Sequence, residues 1–195
     1  MAAEVASGDD DVFATAILPS QAVLDDLAWS KRLPLDELVQ PDLAFVLGVW
    51  QAKRLGRELP ARAAFDVADL RPAISHVMIL DVRNGPRDFI FRLAGGETVH
   101  IHQRELTGCS IADIGDKSWQ QMMRGEFDEL VDTRQPQFAR LRYNTLSGIP
   151  RDYHELRLPL ADDGATVNKI MVMQDFTIGL LRGAATISGS RAAAI

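Results

Sequence analysis

The chain has 195 residues, of which 47% are hydrophobic and 25% are charged, and this composition is typical of a globular protein with one main core. Its 27 acidic and 21 basic residues give a net charge of −6 without any lysine- or arginine-rich stripe, so we expect no nucleic-acid partner. The single cysteine, Cys109, excludes an intramolecular disulfide and a multi-cysteine metal site, and no apolar run approaches the roughly 18 residues of a membrane span.

The first 40 residues carry the whole net charge. They hold 8 acidic and 2 basic side chains, and the aspartates at 9–11 stand where a secretory signal would place positive charge. We therefore expect a cytoplasmic protein without a membrane partner. Residues 1–39 are predicted to form an acidic extension that is partly disordered or helical, with a first helix over 20–28.

A second helix is predicted after Asp42, because apolar residues recur at helical spacing up to Trp50. The apolar stripe consists of Leu43, Val46, Leu47 and Trp50, widened by Phe45 and Val49. A stripe of this width indicates either packing on the protein's own sheet or association into a homodimer.

Five stretches are predicted to be β-strands, two before and three after a helical segment over 97–135. They are rich in Val, Ile, Leu and Phe and end at turn residues such as those at 84–86. The strands are predicted at 75–83, 87–94, 137–146, 151–161 and 167–176. In the fourth strand polar and apolar residues alternate, which predicts one buried and one solvent-facing side. The best helix of the intervening segment begins near Asp116 or Ser118.

This order predicts an α+β fold, a five-stranded antiparallel sheet with helices packed on one face, plus N-terminal helices. We predict a domain over 40–178 that includes the helix after Asp42. The residues 179–195 are rich in Ala, Gly and Ser and are predicted to form a flexible tail.

Three stretches, in the same order, resemble a known family. They are 50–62 (WQAKRLGRELPAR) with Phe65-Asp66, 89–96 (FIFRLAGG) leading to 104–108 (RELTG), and 158–164 (LPLADDG). Together with the order of strands and helices, they resemble the PAS domain family found as stand-alone proteins in alphaproteobacteria. The chain departs from the family pattern at 96–102, where the family more often has Thr after the glycine and Phe-Gly before the arginine.

The resemblance implies a PAS-like sensory and signalling module whose sheet and crossover helices enclose a pocket for an unidentified small molecule. It implies signal transduction through protein–protein interaction with an unidentified signalling protein, and it does not imply an enzyme. The candidate ligand-binding residues are apolar or aromatic: Phe91, Trp119, Met122, Met123, Phe127, Tyr143, Leu158 and Met171. Flexible thioethers and aromatic rings suit a ligand pocket, but the same residues also suit a solid core.

Three residues could contact a cofactor: Cys109, His100 and His102. The sequence around Cys109 lacks the flanking amides and arginine of a flavin photosensor, so we expect no flavin chemistry there. A haem-binding PAS domain places an axial histidine on a crossover helix, and His100 or His102 lies in that region. We predict neither a cofactor nor a metal, and keep haem as a minor alternative.

Two other functional classes fit the same fold. A small cone-shaped α+β enzyme of the isomerase type would need a carboxylate or histidine near a hydrogen-bond donor, and Asp81, Asp175 and His154 are the candidates. A ligand-free interaction adaptor would differ from a sensor only in having a filled core. Arg140 and Arg142 are candidate contacts for a ligand that carries a carboxylate.

Overall fold

Six strands pair into one antiparallel sheet in the computed structural model, which describes residues 29–144 and 150–178. The strands are β1 (Trp29–Leu33), β2 (Val77–Arg83), β3 (Asp88–Ala94), β4 (Gln137–Asn144), β5 (Pro150–Leu160) and β6 (Lys169–Asp175). Their order across the sheet is β1-β4-β5-β6-β2-β3. Within the described ranges the α-helices are α1 (Pro41–Lys53), α2 (Gly96–His102) and α3 (Lys117–Thr133). The α+β fold with an antiparallel sheet is therefore confirmed.

The sheet has six strands rather than the five expected. The five predicted strands correspond to β2–β6, and the additional strand β1 pairs with β4 from Trp29 opposite Arg142 to Leu33 opposite Phe138. Its sequence, WSKRL, has too few apolar residues to predict a strand. The strand forms at the edge of the sheet, where backbone pairing with β4 stabilises it. The predicted helix over 20–28, the end of the third predicted strand at 145–146 and the tail over 179–195 lie outside the described residues.

Helix α1 packs against β5 and β6 through its apolar stripe. It begins at Pro41 rather than after Asp42, since proline is favoured at the first helical position. Leu43, Val46 and Trp50 are buried, and the indole Nε1 of Trp50 donates to the carbonyl oxygen of Pro159 at 2.9 Å. Most of the apolar stripe on α1 is therefore buried against the protein's own sheet.

Helices α2 and α3 cover the opposite face of the sheet. The Asp116 carboxylate caps α3 by accepting from the backbone N–H of Trp119 at 2.9 Å, so the helix begins after Asp116, the first of the two starts that the sequence left open. The turn from β3 into α2 passes so close to the preceding chain that Gly95 has no room for a side chain. A Cβ there would lie 2.3 Å from the carbonyl oxygen of Ser75.

Strand β5 is buried on both faces, and the predicted solvent-facing side is wrong. Tyr153, Glu155 and Arg157 are each no more than 1% exposed. They face α3, while Leu156 and Leu158 alternate toward α1. The middle of the sheet is covered twice, so the polar residues that the sequence assigned to solvent lie inside the protein.

Among the described residues no helix is long and apolar enough to cross a membrane.

Candidate functional site

A small cavity of about 80 Å³ lies between the sheet and helices α2 and α3. Most of its wall is apolar, formed by Met78, Leu80, Phe91, Leu106, Ile114, Trp119, Met123, Phe127 and Val172. Its polar wall is formed by His102, Arg104, Tyr143, Glu155 and Gln174. A concave apolar site with a few convergent polar groups is the usual form of a small-molecule pocket.

The structure brings most of the sequence-predicted ligand residues together at this cavity. Those that line it are Phe91, Trp119, Met123, Phe127 and Tyr143. Met122 is only partly buried and lies outside the lining, because the next residue along α3 points about 100° away.

Leu158 and Met171 are placed on the wrong side by the sequence analysis. These two residues pair across β5 and β6, and they share the sheet face that packs against α1. In a strand, neighbouring side chains point to opposite faces, so Arg157 rather than Leu158 faces α3. The sequence does not show which face of β5 packs against α3, because both faces of the strand are buried.

A chain of hydrogen bonds runs along the polar wall. The side-chain Nε2 of Gln174 donates to Glu155 Oε2 at 2.8 Å, which leaves the Gln174 oxygen facing His102. The ring Nε2 of His102 lies 2.9 Å from that oxygen and therefore carries the proton. The three side chains are thus held in one fixed orientation.

The chain continues into a buried ion pair. Arg157 donates from Nε to Glu155 Oε1 at 2.5 Å and from Nη1 to the Glu126 carboxylate on α3. Its guanidinium also lies 3.7 Å from the sulfur of Met123 and 5.3 Å from the centre of the Phe127 ring. Burial alone would lower the pKa of Arg157, but the charges of the two glutamates outweigh burial and raise it.

Burial also controls the charge of the aromatic polar groups. It lowers the pKa of His102, although the bond to Gln174 and the charge of Glu155 act in the opposite direction. It raises the pKa of Tyr143, whose ring stacks on His102 with 4.7 Å between centres. At neutral pH both rings are therefore uncharged at the wall of the cavity.

Two polar atoms at the cavity have no hydrogen-bond partner within the part of the chain that the structure describes. They are the hydroxyl of Tyr143 and the indole Nε1–H of Trp119, and the two side chains are 7% and 8% exposed. An unsatisfied buried polar group is costly and uncommon in native proteins. These two groups are therefore available to form hydrogen bonds with a molecule in the cavity.

The structure separates the two histidines considered for haem. Both lie on α2, where His100 is exposed and lines an open groove, while His102 is buried at the cavity. A cavity of about 80 Å³ cannot enclose haem or flavin, since pockets for ligands of that size measure several hundred Å³. Neither group fits this site.

Cys109 lies outside the lining of the cavity and is half-buried. Its sulfur is 3.7 Å from a guanidinium nitrogen of Arg104 and 3.7 Å from the carbonyl oxygen of Glu105. The thiol is therefore not positioned to attack a molecule in the cavity. Over residues 29–144 and 150–178, no group of three His, Cys, Asp or Glu side chains is arranged to bind a metal ion.

The arginines considered for a carboxylate ligand lie elsewhere. Arg142 forms a two-pronged ion pair with Asp152, with distances of 2.7 and 2.9 Å. Arg140 and Arg142 both stack near the Trp29 ring on the sheet face opposite the cavity. The predicted carboxylate contacts are thus not part of the pocket.

A larger open groove of about 870 Å³ adjoins the cavity. It is lined by residues of α2 and by the end of β6, and it shares Arg104 and Gln174 with the cavity wall. These two side chains therefore separate the enclosed space from the open one.

Of the polar wall, only Tyr143 was predicted as a ligand contact from the sequence. Glu155, Arg157 and Gln174 lie on strands and look like solvent-facing residues, and His102 was considered only as a metal ligand. One signal was available: Glu155 and Arg157 have opposite charges two residues apart, which places them on one face of a strand. Their partner Glu126 lies on another element, and the sequence alone does not bring it close.

Comparison with known proteins identifies the family of this chain. The sequence matches the PAS domain family over residues 39–173, which is well over half of the chain, and the protein therefore belongs to that family. PAS domains are sensory signalling modules, and the chain is of this class. No curated protein matches it.

Several solved structures are similar in shape at low identity. An RNA-binding light-oxygen-voltage receptor is 12% identical with a TM-score of 0.46, over 77% of this chain and 38% of that one. A light-oxygen-voltage protein of Rhodobacter sphaeroides is 11% identical with a TM-score of 0.44, over 71% and 68%. The PAS domain of a protein from Colwellia psychrerythraea is 10% identical with a TM-score of 0.43, over 57% and 97%. At such distances no ligand or partner is transferred from these proteins.

Proposed function

We propose that this PAS domain is a sensor that binds a small molecule in the cavity and passes the signal to another protein. The observation that carries the proposal is the pair of unsatisfied donors, Tyr143 and Trp119, at the wall of an enclosed apolar space. A solid core would leave no space there, and a molecule in the cavity could accept a hydrogen bond from each donor.

Strand β5 offers a direct route from the cavity to the outside. Its residue Glu155 faces the cavity, while His154 faces the other way and bonds to Gln40, just before α1, at 2.9 Å. A ligand that moves β5 therefore also acts on α1. Near the start of this helix Val39 is 79% exposed and Phe45 is 41% exposed, which suits contact with a second copy or a signalling protein.

We favour binding over catalysis because the candidates for an acid or base have other partners. Asp81 pairs with Arg92 at 3.3 Å, and Asp175 accepts from the backbone N–H of Thr177. Both oxygens of Glu155 in the cavity already accept hydrogen bonds. A cytoplasmic location stays a prediction from the sequence.

The test is ligand screening by thermal melting on the natural protein and two variants. Met123→Trp fills the cavity, whereas Met122→Trp places the same ring on the same helix outside it. Compounds that raise the melting midpoint of the natural protein and of the Met122 variant, but not of the Met123 variant, support the proposal.

Two results would contradict it. One is a screen in which no compound stabilises the natural protein, and the other is equal stabilisation of the Met123→Trp variant. If the space were a solid core, Met123→Trp would lower the free energy of unfolding by about 1–3 kcal/mol through overpacking.

A further inference from the structure

We propose that the cavity selects small, neutral molecules that carry a hydrogen-bond acceptor, and that it rejects carboxylates. This inference rests on the proposed function and specifies the chemical class of the ligand. Three observations support it: the unpartnered hydrogen-bond donors at the cavity, the charged side chains at its polar wall and its volume.

The free polar groups at the cavity are donors. The indole N–H of Trp119 can only donate, and the Tyr143 hydroxyl can donate or accept. One N–H of the Gln174 amide and the Nε2–H of His102 are already used along the hydrogen-bond chain. A ligand that completes the site must therefore present at least one acceptor, such as a carbonyl or ether oxygen.

The charge behind the polar wall opposes an anion. Glu155 is the carboxylate that lines the cavity, and its counter-ion Arg157 is shared with Glu126. Arg104 also lines the cavity, but its two terminal nitrogens have partners outside the lining: Nη1 donates to the Asp113 carbonyl oxygen at 2.8 Å, and Nη2 lies 3.7 Å from the Cys109 sulfur. A carboxylate in the cavity would lose its hydration beside Glu155, and it could pair with Arg104 only if that guanidinium left its present partners.

A cation is disfavoured for a different reason. Arg157 already donates to Glu155 and would repel a second cation beside it, and an ammonium group has no lone pair to accept from the Trp119 N–H. A neutral acceptor meets neither penalty.

The volume limits the size of the ligand. An apolar cavity of roughly 150 Å³ holds benzene, so about 80 Å³ suits a smaller molecule. Three matched probes of five non-hydrogen atoms each cover the possible charges: butanone is neutral, propionate is an anion and butylammonium is a cation.

Methyl NMR of the methionines reports binding directly. Met78 and Met123 line the cavity, while Met122 and Met171 do not and serve as internal controls. We expect butanone to shift the methyl signals of Met78 and Met123 and to bind at least about tenfold more tightly than propionate. Butylammonium is expected to bind more weakly than butanone.

Tyr143→Phe tests the role of the donor. The variant keeps the ring that stacks on His102 and removes only the hydroxyl. We expect it to weaken butanone binding by about three- to tenfold while leaving the melting midpoint unchanged or higher, because an unsatisfied buried group is gone. An unchanged butanone affinity in this variant would overturn the role of Tyr143 as the donor.

Xenon separates failure of this inference from failure of the proposed function. If xenon shifts the Met78 and Met123 methyl signals but butanone does not, or if either charged probe binds as tightly as butanone, the ligand class is wrong and the pocket stands. If neither xenon nor butanone shifts these signals, there is no accessible pocket and both proposals fail.

Discussion

At the scale of single residues, His102 is expected to make stability depend on pH. Its folded-state pKa lies below the ordinary value of 6.5, because the ring is buried. Below that pH the unfolded chain takes up a proton at His102 that the folded protein does not, so the free energy of unfolding falls as the pH falls. By pH 5 this residue accounts for at most about 2 kcal/mol of the loss.

The variant His102→Phe checks this expectation. Urea unfolding at pH 7 and pH 5 should show a smaller acid-induced loss in the variant than in the natural protein. His100→Phe on the same helix is the control, since its side chain is exposed. An identical acid-induced loss in the natural protein and in His102→Phe would refute the assignment.

The buried ion pair of Arg157 yields a second prediction at this scale. Arg157→Met leaves the buried Glu155 carboxylate without its cation, and we expect the free energy of unfolding to fall by about 3–5 kcal/mol. Replacing both partners, with Glu155→Gln added, should cost less than Arg157→Met alone.

Chemical denaturation of the two variants and a control measures these differences. Arg124→Met removes the arginine of a more exposed ion pair on α3, between Arg124 and Asp88, and should cost no more than about 1 kcal/mol. If the double variant is less stable than Arg157→Met, the unpaired Glu155 carboxylate is not the cause of the stability loss in Arg157→Met.

At the scale of secondary-structure elements, the turn from β3 to α2 requires glycine at position 95. Gly95→Ala would place a methyl group against the backbone of Ser75, which has no flexible end to yield, and we expect a loss of about 1–3 kcal/mol. Gly96→Ala is the matched control, because nothing lies within 4 Å of a Cβ there and alanine favours a helix. Equal unfolding midpoints in urea for the two variants would refute the close contact.

Elements with strong local signals were predictable from the sequence. Strands β2 and β3 are apolar and joined by a turn at 84–86, and α3 has a capping aspartate, so each carries its own boundary signals. Strand β1 has none, because its stability comes from pairing with β4 more than 100 residues away. Local patterns do not contain that information.

The sequence predicted much of the apolar wall of the candidate site but only Tyr143 of its polar wall. The apolar stripe of α3 placed Trp119, Met123 and Phe127 on one face, and they do line the cavity. The burial of Glu155 and Arg157 depends on partners from other elements, and the orientation of Leu158 depends on which face of β5 meets α3. These are consequences of tertiary packing.

At the scale of the whole molecule, we predict a homodimer that forms through the exposed apolar residues near the start of α1. Burying one such side chain contributes about 1.5–3 kcal/mol before the cost of association. Phe45→Glu should therefore convert the dimer to a monomer in sedimentation or light-scattering measurements. Val67→Glu is the control, since Val67 is 68% exposed on a different segment of the chain.

A monomeric natural protein at high concentration would contradict this prediction, as would loss of the dimer in both variants. Methyl NMR of Met78 and Met123 shows whether the cavity is intact in the monomer, so failure of dimerisation can be told apart from failure of folding.

The double burial of β5 has a consequence for amide hydrogen exchange. Backbone amides in the middle of a sheet covered on both sides exchange only when the whole domain opens, whereas an edge strand such as β1 opens locally and exchanges sooner. Glu155 and Gln174, the part of the polar wall on the central strands, thus belong to the slowest-exchanging part of the protein. Access to the cavity then depends on brief openings of α2 and α3, and a bound molecule should slow exchange in these two helices more than in β5.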